Sequence, residues 1–240
     1  METWIITGAS RGIGLSLAQQ AVAEGYQVFG LARSVPDWSH PNFQFVSVDL
    51  STDAGLQKAE DMVRNTVQKA AQVVLVNNAA LLAPVGPLGS WSRVDITKAL
   101  QVNVGAVATL MNAFHQASTQ AESAMVLNIS SGAGKRPIAG WAMYCSAKAA
   151  MDMLSLTYAE EQALVGSNRQ VYSISPGVVD TDMQAEIRAS SVEVFPRVAY
   201  FKELKSEGRL ASPEAVAKQI IQFAKAQKQQ GEVLQDVRQW

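Results

Sequence analysis

The sequence contains one cysteine, Cys145, and two histidines, His40 and His115. A lone cysteine excludes an internal disulfide and a thiolate-caged zinc ion, and it points to a reducing compartment. With so few soft ligands, no metal centre is expected. Charge is also scarce, at 17% of residues against about 25% in an average soluble domain. Lys and Arg number 20 and Asp and Glu 21, for a net charge of -1. There is thus no basic stripe for a phosphate backbone and no acidic solvating tail, and nucleic acid is not an expected partner. No apolar run approaches the ~18 residues that cross a bilayer. The chain runs from Met1 and Glu2 into an apolar stretch without a cationic leader or a cleavage site, so no signal peptide and no membrane partner are expected. The expected location is the cytoplasm. The shortage of surface charge favours an oligomer, expected here as a homodimer or tetramer.

What is present is apolar and alternating. Hydrophobic residues make up 48% of 240 positions, enough for one large α/β domain over 1–240 and too little length for two full ones. Short β-branched runs at 3–7, 27–32, 43–49, 73–77, 124–130, 170–175 and 232–237 alternate with stretches of helical period. That alternation predicts a doubly wound parallel sheet of about seven strands with helices on both faces. Helices are expected at 13–24, stopped by Gly25, and at 52–69, with Ser51 as its cap. Long helices are expected over 95–116 and 142–165, each with more than one apolar face, one for the sheet and one for another subunit. Ser212-Pro213 opens a helix running through 228. The least regular stretch, 176–210, carries Pro176, Gly177, Pro196 and Gly208 and is expected to be a substrate loop or lid.

Chemistry-bearing residues fall at the ends of these strands. The run TGASRGIG, Thr7 to Gly14, joins the first strand to the first helix. Glycines at 8, 12 and 14 allow a tight turn and close approach to a pyrophosphate, whose charge would sit at the positive end of the helix. Taken alone, such a turn also fits any α/β protein. After the second strand, Ala32 stands where an NAD site usually has an acid, followed by Arg33 and Ser34. Arg33 and Arg11 could pair with a 2′-phosphate, which favours NADPH over NADH, although both also read as ordinary surface arginines. Tyr144 and Lys148, four apart on one helix, place a phenol beside an ammonium. The ammonium, joined by an oxidised nicotinamide, is expected to pull the phenol from about 10 toward neutrality. Ser131, thirteen residues before Tyr144 at the end of the fifth strand, could hold a carbonyl oxygen beside it.

Together these motifs resemble the short-chain dehydrogenase/reductase family over nearly the whole chain. The glycine loop matches TGxxxGxG, Asp49-Leu50 the acid that contacts adenine, and Asn77-Asn78-Ala79-Ala80 the family's NNAG, with Ala80 in place of its last glycine. The resemblance implies a Rossmann-like fold and a tetrad of Asn103, Ser131, Tyr144 and Lys148, with Asn103 holding a proton-relay water. It also implies a cofactor site built from Gly8, Ser10, Arg11, Gly12, Ile13, Gly14, Arg33, Ser34, Asp49, Leu50, Asn78, Ala79, Tyr144, Lys148, Pro176, Gly177, Val179 and Thr181. Within the family, the stretches at 140–145, 180–184 and 203–210 look like sepiapterin reductases and bacterial benzil reductases. That likeness implies an NADPH-dependent reduction of a ketone or vicinal diketone, with Ser131, Trp141, Met183 and Asp236 as substrate contacts and Leu81, Leu82 and Phe195 adding apolar walls. Two other functions stay open: a 3-oxoacyl-carrier-protein reductase of the same family, and a non-catalytic NADPH-binding regulator. Cys145 reads as a small packing residue.

Overall fold

The computed structural model describes residues 2–240. Seven strands form one sheet in the order β3-β2-β1-β4-β5-β6-β7, every neighbouring pair parallel. They are β1 (Thr3–Thr7), β2 (Gln27–Ala32), β3 (Phe43–Ser47), β4 (Gln72–Asn77), β5 (Ser123–Ile129), β6 (Gln170–Ser175) and β7 (Leu234–Asp236). The helices are α1 (Gly12–Ala23), α2 (Asp53–Val67), α3 (Arg93–Leu100), α4 (Ala106–Ala117), α5 (Ala142–Leu164), α6 (Asp182–Ala189), α7 (Val198–Ser206) and α8 (Pro213–Ala226). The fold class read from the sequence is therefore the one observed.

Strand periodicity sorts the core into two layers. Trp4, Ile6, Val74, Val76, Leu127 and Ile174 point to the side covered by α1 and α8. Their neighbours Ile5, Leu75, Val126 and Val171 point to the side covered by α2, α4 and α5, where Val63, Leu110, Phe114 and Met151 meet them. A third, smaller cluster of Ile138, Trp141, Phe195, Val198, Phe201 and Leu204 lies beside the strand ends.

Local chemistry explains most boundaries. Gly25, at φ +85°, ends α1 as a left-handed residue. Ser212 caps α8 by accepting from the Ala215 N–H at 3.1 Å, with Pro213 in the first turn. The cap of α2 is Thr52, which accepts from Gly55 N–H at 3.1 Å. Ser51, the residue predicted for that task, instead donates its hydroxyl to Asp49 at 2.7 Å.

Two expectations gain detail. The helix expected over 95–116 runs without a gap from Arg93 to Ala117, but its ladder widens between α3 and α4 into a π-helical turn at Gln101–Gly105. The turn opens where the Asn103 side chain is drawn to the Leu81 backbone, accepting from its N–H at 2.8 Å and donating to its carbonyl at 2.8 Å. Such π-turns are rare and cluster at functional sites. In the stretch 176–210, α6 and α7 supply 17 of 35 residues and pack their apolar faces into the third cluster, and the remainder is irregular. Salt bridges from Lys205 and Arg188 to Asp180 tie it together.

Candidate active site

Strand order reverses between β1 and β4, since β2 and β3 lie to one side and β5, β6 and β7 to the other. A crevice opens there at the C-terminal strand ends, where doubly wound sheets hold ligands. It is a cleft of about 760 Å³ running from Arg33 and Asp49 past the glycine loop to Ser131, Tyr144 and Asp236.

The glycine loop is shaped for close approach. Gly8 and Gly12 have φ of +69° and +54°, a region side chains rarely adopt. Gly14 does a different job from the cleft-lining glycines: a Cβ there would lie 2.2 Å from the Gly8 carbonyl oxygen, so the bare backbone lets α1 seat against the turn. No side chain caps α1, which leaves its first N–H groups and its dipole facing the cleft. An anion such as a pyrophosphate fits that cradle. Asn78 buttresses the loop by donating to the Thr7 carbonyl at 2.9 Å.

At the β2 end, Ala32, Arg33 and Ser34 all line the cleft, and Arg33 forms no ion pair among the described residues. Arg11 also lines it, but its guanidinium is paired with Asp182 at 3.0 Å across the mouth of the cleft. Pairing with a 2′-phosphate would require it to leave that carboxylate, so Arg33 is the readier of the two. Asp49 accepts from the Ser51 N–H and hydroxyl at 2.9 and 2.7 Å. Those bonds, with Arg33 and Lys98 nearby, hold its carboxyl below the usual range. Ala80 lines the cleft without a positive φ, so its methyl introduces no backbone strain where a glycine was expected.

Tyr144 and Lys148 sit on the first turns of α5, 8% and 2% exposed. The Lys148 ammonium donates to the Ile129 carbonyl at 2.6 Å and lies 5.7 Å from the centre of the Tyr144 ring. Burial pushes the phenol up to about 12, while the hydrogen bond with the Ser131 hydroxyl works the other way. The expected drift toward neutrality counted the charge of an oxidised nicotinamide; among the protein's own groups, desolvation of the phenolate sets the direction of the shift. Burial pushes Lys148 down to about 8, and Asp152 opposes it. Ser131 begins a short turn, Gly132–Gly134, and accepts from the Ala133 N–H at 3.1 Å.

The other predicted residues divide. Ser10, Ile13, Leu50, Ala79, Pro176, Gly177, Val179 and Thr181 line the cleft, as do Trp141, Met183, Leu81, Leu82 and Asp236. Phe195 does not; it is fully buried and stacked on Trp141 at 4.6 Å, behind the wall it was expected to form. Asn103 does not line it either, because its amide is spent on Leu81. Asp236 is closed by Arg238, whose Nε and Nη2 reach it at 2.9 and 2.5 Å. That ion pair holds its carboxyl below the usual range. Sequence reading missed Arg238, Lys98 and Asp152; only Asp152 left a signal, four residues beyond Lys148 on the same helix face.

A nucleotide cradle joined to a buried phenol and ammonium defines an oxidoreductase site. The short chain dehydrogenase profile matches residues 2–191. Benzil reductase ((S)-benzoin forming) of Bacillus subtilis (strain 168) is 34% identical over 239 residues, covering 97% of each chain. Sepiapterin reductase of Meriones unguiculatus is 32% identical over 239 residues, covering 90% of this chain and 88% of its own. Among solved structures, the KRED1-Pglu enzyme superposes with a TM-score of 0.79 at 28% identity, over 94% of this chain and 95% of that one. The chain belongs to the short-chain dehydrogenase family. It is an oxidoreductase acting on CH–OH or C=O groups with a nicotinamide cofactor. Among the described residues no helix is long and apolar enough to cross a membrane.

Proposed function

We propose that this protein is an NADPH-dependent carbonyl reductase of a ketone or vicinal diketone, with Tyr144 as its proton donor. The observation that carries the reading is the burial of Tyr144 and Lys148 together, beside Ser131, at one end of a cleft whose other end is the glycine loop. The bound dinucleotide supplies a hydride. Ser131 and Tyr144 hold the carbonyl oxygen, and as negative charge grows on it the Tyr144 O–H passes its proton across. A phenol at about 12 stays protonated at neutral pH, as a donor must. The same burial makes the phenolate left behind costly, and the Lys148 ammonium offsets that cost. Asn103 holds Leu81 and so shapes the wall opposite Tyr144, leaving its backbone for proton resupply.

NADPH is favoured by Ala32, which offers no acid to a ribose 2′-hydroxyl, and by the unpaired Arg33 beside Ser34. Gly8, Gly12 and the α1 terminus take the pyrophosphate, Asp49 and Leu50 the adenine, and Pro176, Gly177, Val179 and Thr181 the nicotinamide. On the substrate side, Leu81, Leu82, Trp141 and Met183 make an apolar wall suited to an aryl diketone, in keeping with the relatives named benzil reductase. Asp236, already held by Arg238, is the polar contact a pterin-like side-chain ketone would use. Residues 1–240 act as one domain, with 176–210 closing over substrate. The apolar Met153 and Leu156 exposed on α5 support a homodimer, and the cytoplasm remains the expected site.

The test follows NADPH oxidation with benzil, sepiapterin and an acetoacetyl thioester in parallel. Turnover of benzil or sepiapterin is expected. Turnover of the thioester alone, or of none of the three, would overturn the reading.

A further inference from the structure

Three residues among the Lys, Arg, Asp and Glu of the described residues are less than a tenth exposed: Lys148, Asp152 and Asp236. Asp236 is neutralised by Arg238. The other two have no ion pair of their own, yet a charge taken out of water is stable only near an opposite one. They stand four apart on α5, side by side on its buried face. The Asp152 carboxylate is fixed by the Ser173 hydroxyl, which donates to Oδ1 at 2.6 Å. Its Oδ2 lies under the Gly132–Gly134 turn, so close that a Cβ on Gly134 would come within 2.9 Å. The carboxylate is therefore walled in and cannot swing toward solvent.

We propose that Asp152 is a positioning residue for the reduction: a buried counter-charge, oriented by Ser173, that keeps Lys148 protonated beside Tyr144. The proposal rests on the reading of Lys148 as the partner of Tyr144. The surroundings of Lys148 leave no other candidate. On α5 itself the titratable neighbours are Tyr144, the part-buried Cys145 and Asp152. From β5 comes the Ile129 carbonyl, while β6 and the Gln101–Gly105 turn, both packed against α5, carry the buried polar but uncharged Ser173, Ser175 and Asn103. The Gly132–Gly134 turn leads to Lys135 and Arg136, and α3 brings Arg93, Asp95 and Lys98, all exposed. Asp152 is the one buried carboxylate on this face, and it opposes the lowering of Lys148 that burial causes.

The test compares wild type with Asp152→Asn, which keeps an acceptor for Ser173 but removes the charge, and with Ser173→Ala, which removes the hydroxyl but keeps the charge. In the pH profile of NADPH oxidation with benzil, the alkaline limb reports loss of the Lys148 proton. Asp152→Asn is expected to move that limb to lower pH by about one unit, a roughly tenfold greater loss of rate at mildly alkaline than at acidic pH. Ser173→Ala, which loosens the carboxylate but keeps its charge, is expected to move the limb by clearly less than Asp152→Asn does. A uniform fall in rate at every pH in Asp152→Asn, or an equal shift in Ser173→Ala, would overturn the proposal. A second readout needs no turnover: the pH at which unfolding stability changes, in each background with and without Lys148→Met. Asp152→Asn should lower that pH, and an unchanged value would overturn the proposal. If wild type reduced neither benzil nor sepiapterin, the functional reading would fall while this second readout still decided the role of Asp152.

Discussion

Replacing Lys148 with Met keeps a flexible stem of similar length in the site and removes only the charge. The ammonium is 2% exposed and its pKa is lowered from 10.5 to about 8, first by burial. Such a depression corresponds to about 3 kcal/mol against the folded state. Because the unfolded chain holds this proton more tightly, stability rises with pH between the two values. The penalty is complete below about 8 and gone above 10.5. Tyr144, raised to about 12, titrates in the opposite sense but is common to both proteins and cancels in the comparison to first order. Urea unfolding followed by tryptophan fluorescence should therefore show wild type gaining on Lys148→Met by about 3 kcal/mol from neutral pH to above 10.5. A difference that stays constant with pH, or one that moves toward the variant, would refute the idea that Lys148 is buried as a strained ammonium.

The glycine loop and the β2 terminus give two further expectations. Gly14→Ala would place a Cβ 2.2 Å from the Gly8 carbonyl oxygen and 2.5 Å from the Asn78 amide, so it should cost about 2–3 kcal/mol, read as a fall in Tm of roughly 5–10 °C. Arg33→Ala should weaken NADPH roughly tenfold or more, the worth of a charge-assisted phosphate contact, with NADH binding unchanged within about twofold. Fluorescence titration with both cofactors measures the pair, and an equal loss for the two would contradict the assignment of Arg33 to the 2′-phosphate.

Much of the architecture was legible because its causes are local. Short, uniformly apolar runs at β1, β4, β5 and β6, the glycine stop at Gly25 and the Ser212-Pro213 start each depend on a few adjacent residues, and the sequence shows them directly. The cleft-lining residues were legible for a related reason: motifs at C-terminal strand ends converge in any sheet that reverses order. What failed to show was tertiary. The π-turn at Gln101–Gly105 exists because Asn103 binds Leu81, 22 residues away in sequence. The helices α6 and α7 gain their stability from a third apolar cluster that only packing creates, so Pro196 and Gly208 alone read as loop. The direction of the Tyr144 shift turned on burial, which spacing cannot report. Arg11 reads as a phosphate ligand until Asp182, 171 residues away, is seen to pair with it.

The reading of the site turns on the phenol of Tyr144. Single-turnover oxidation of bound NADPH by benzil, compared between wild type and Tyr144→Phe, tests it most directly. A general acid contributes roughly a hundredfold to ten-thousandfold, so the variant should bind NADPH as wild type does while its hydride transfer falls by at least that lower factor. Equal rates in the two proteins would mean that the proton comes from elsewhere, and the account of this site would be wrong.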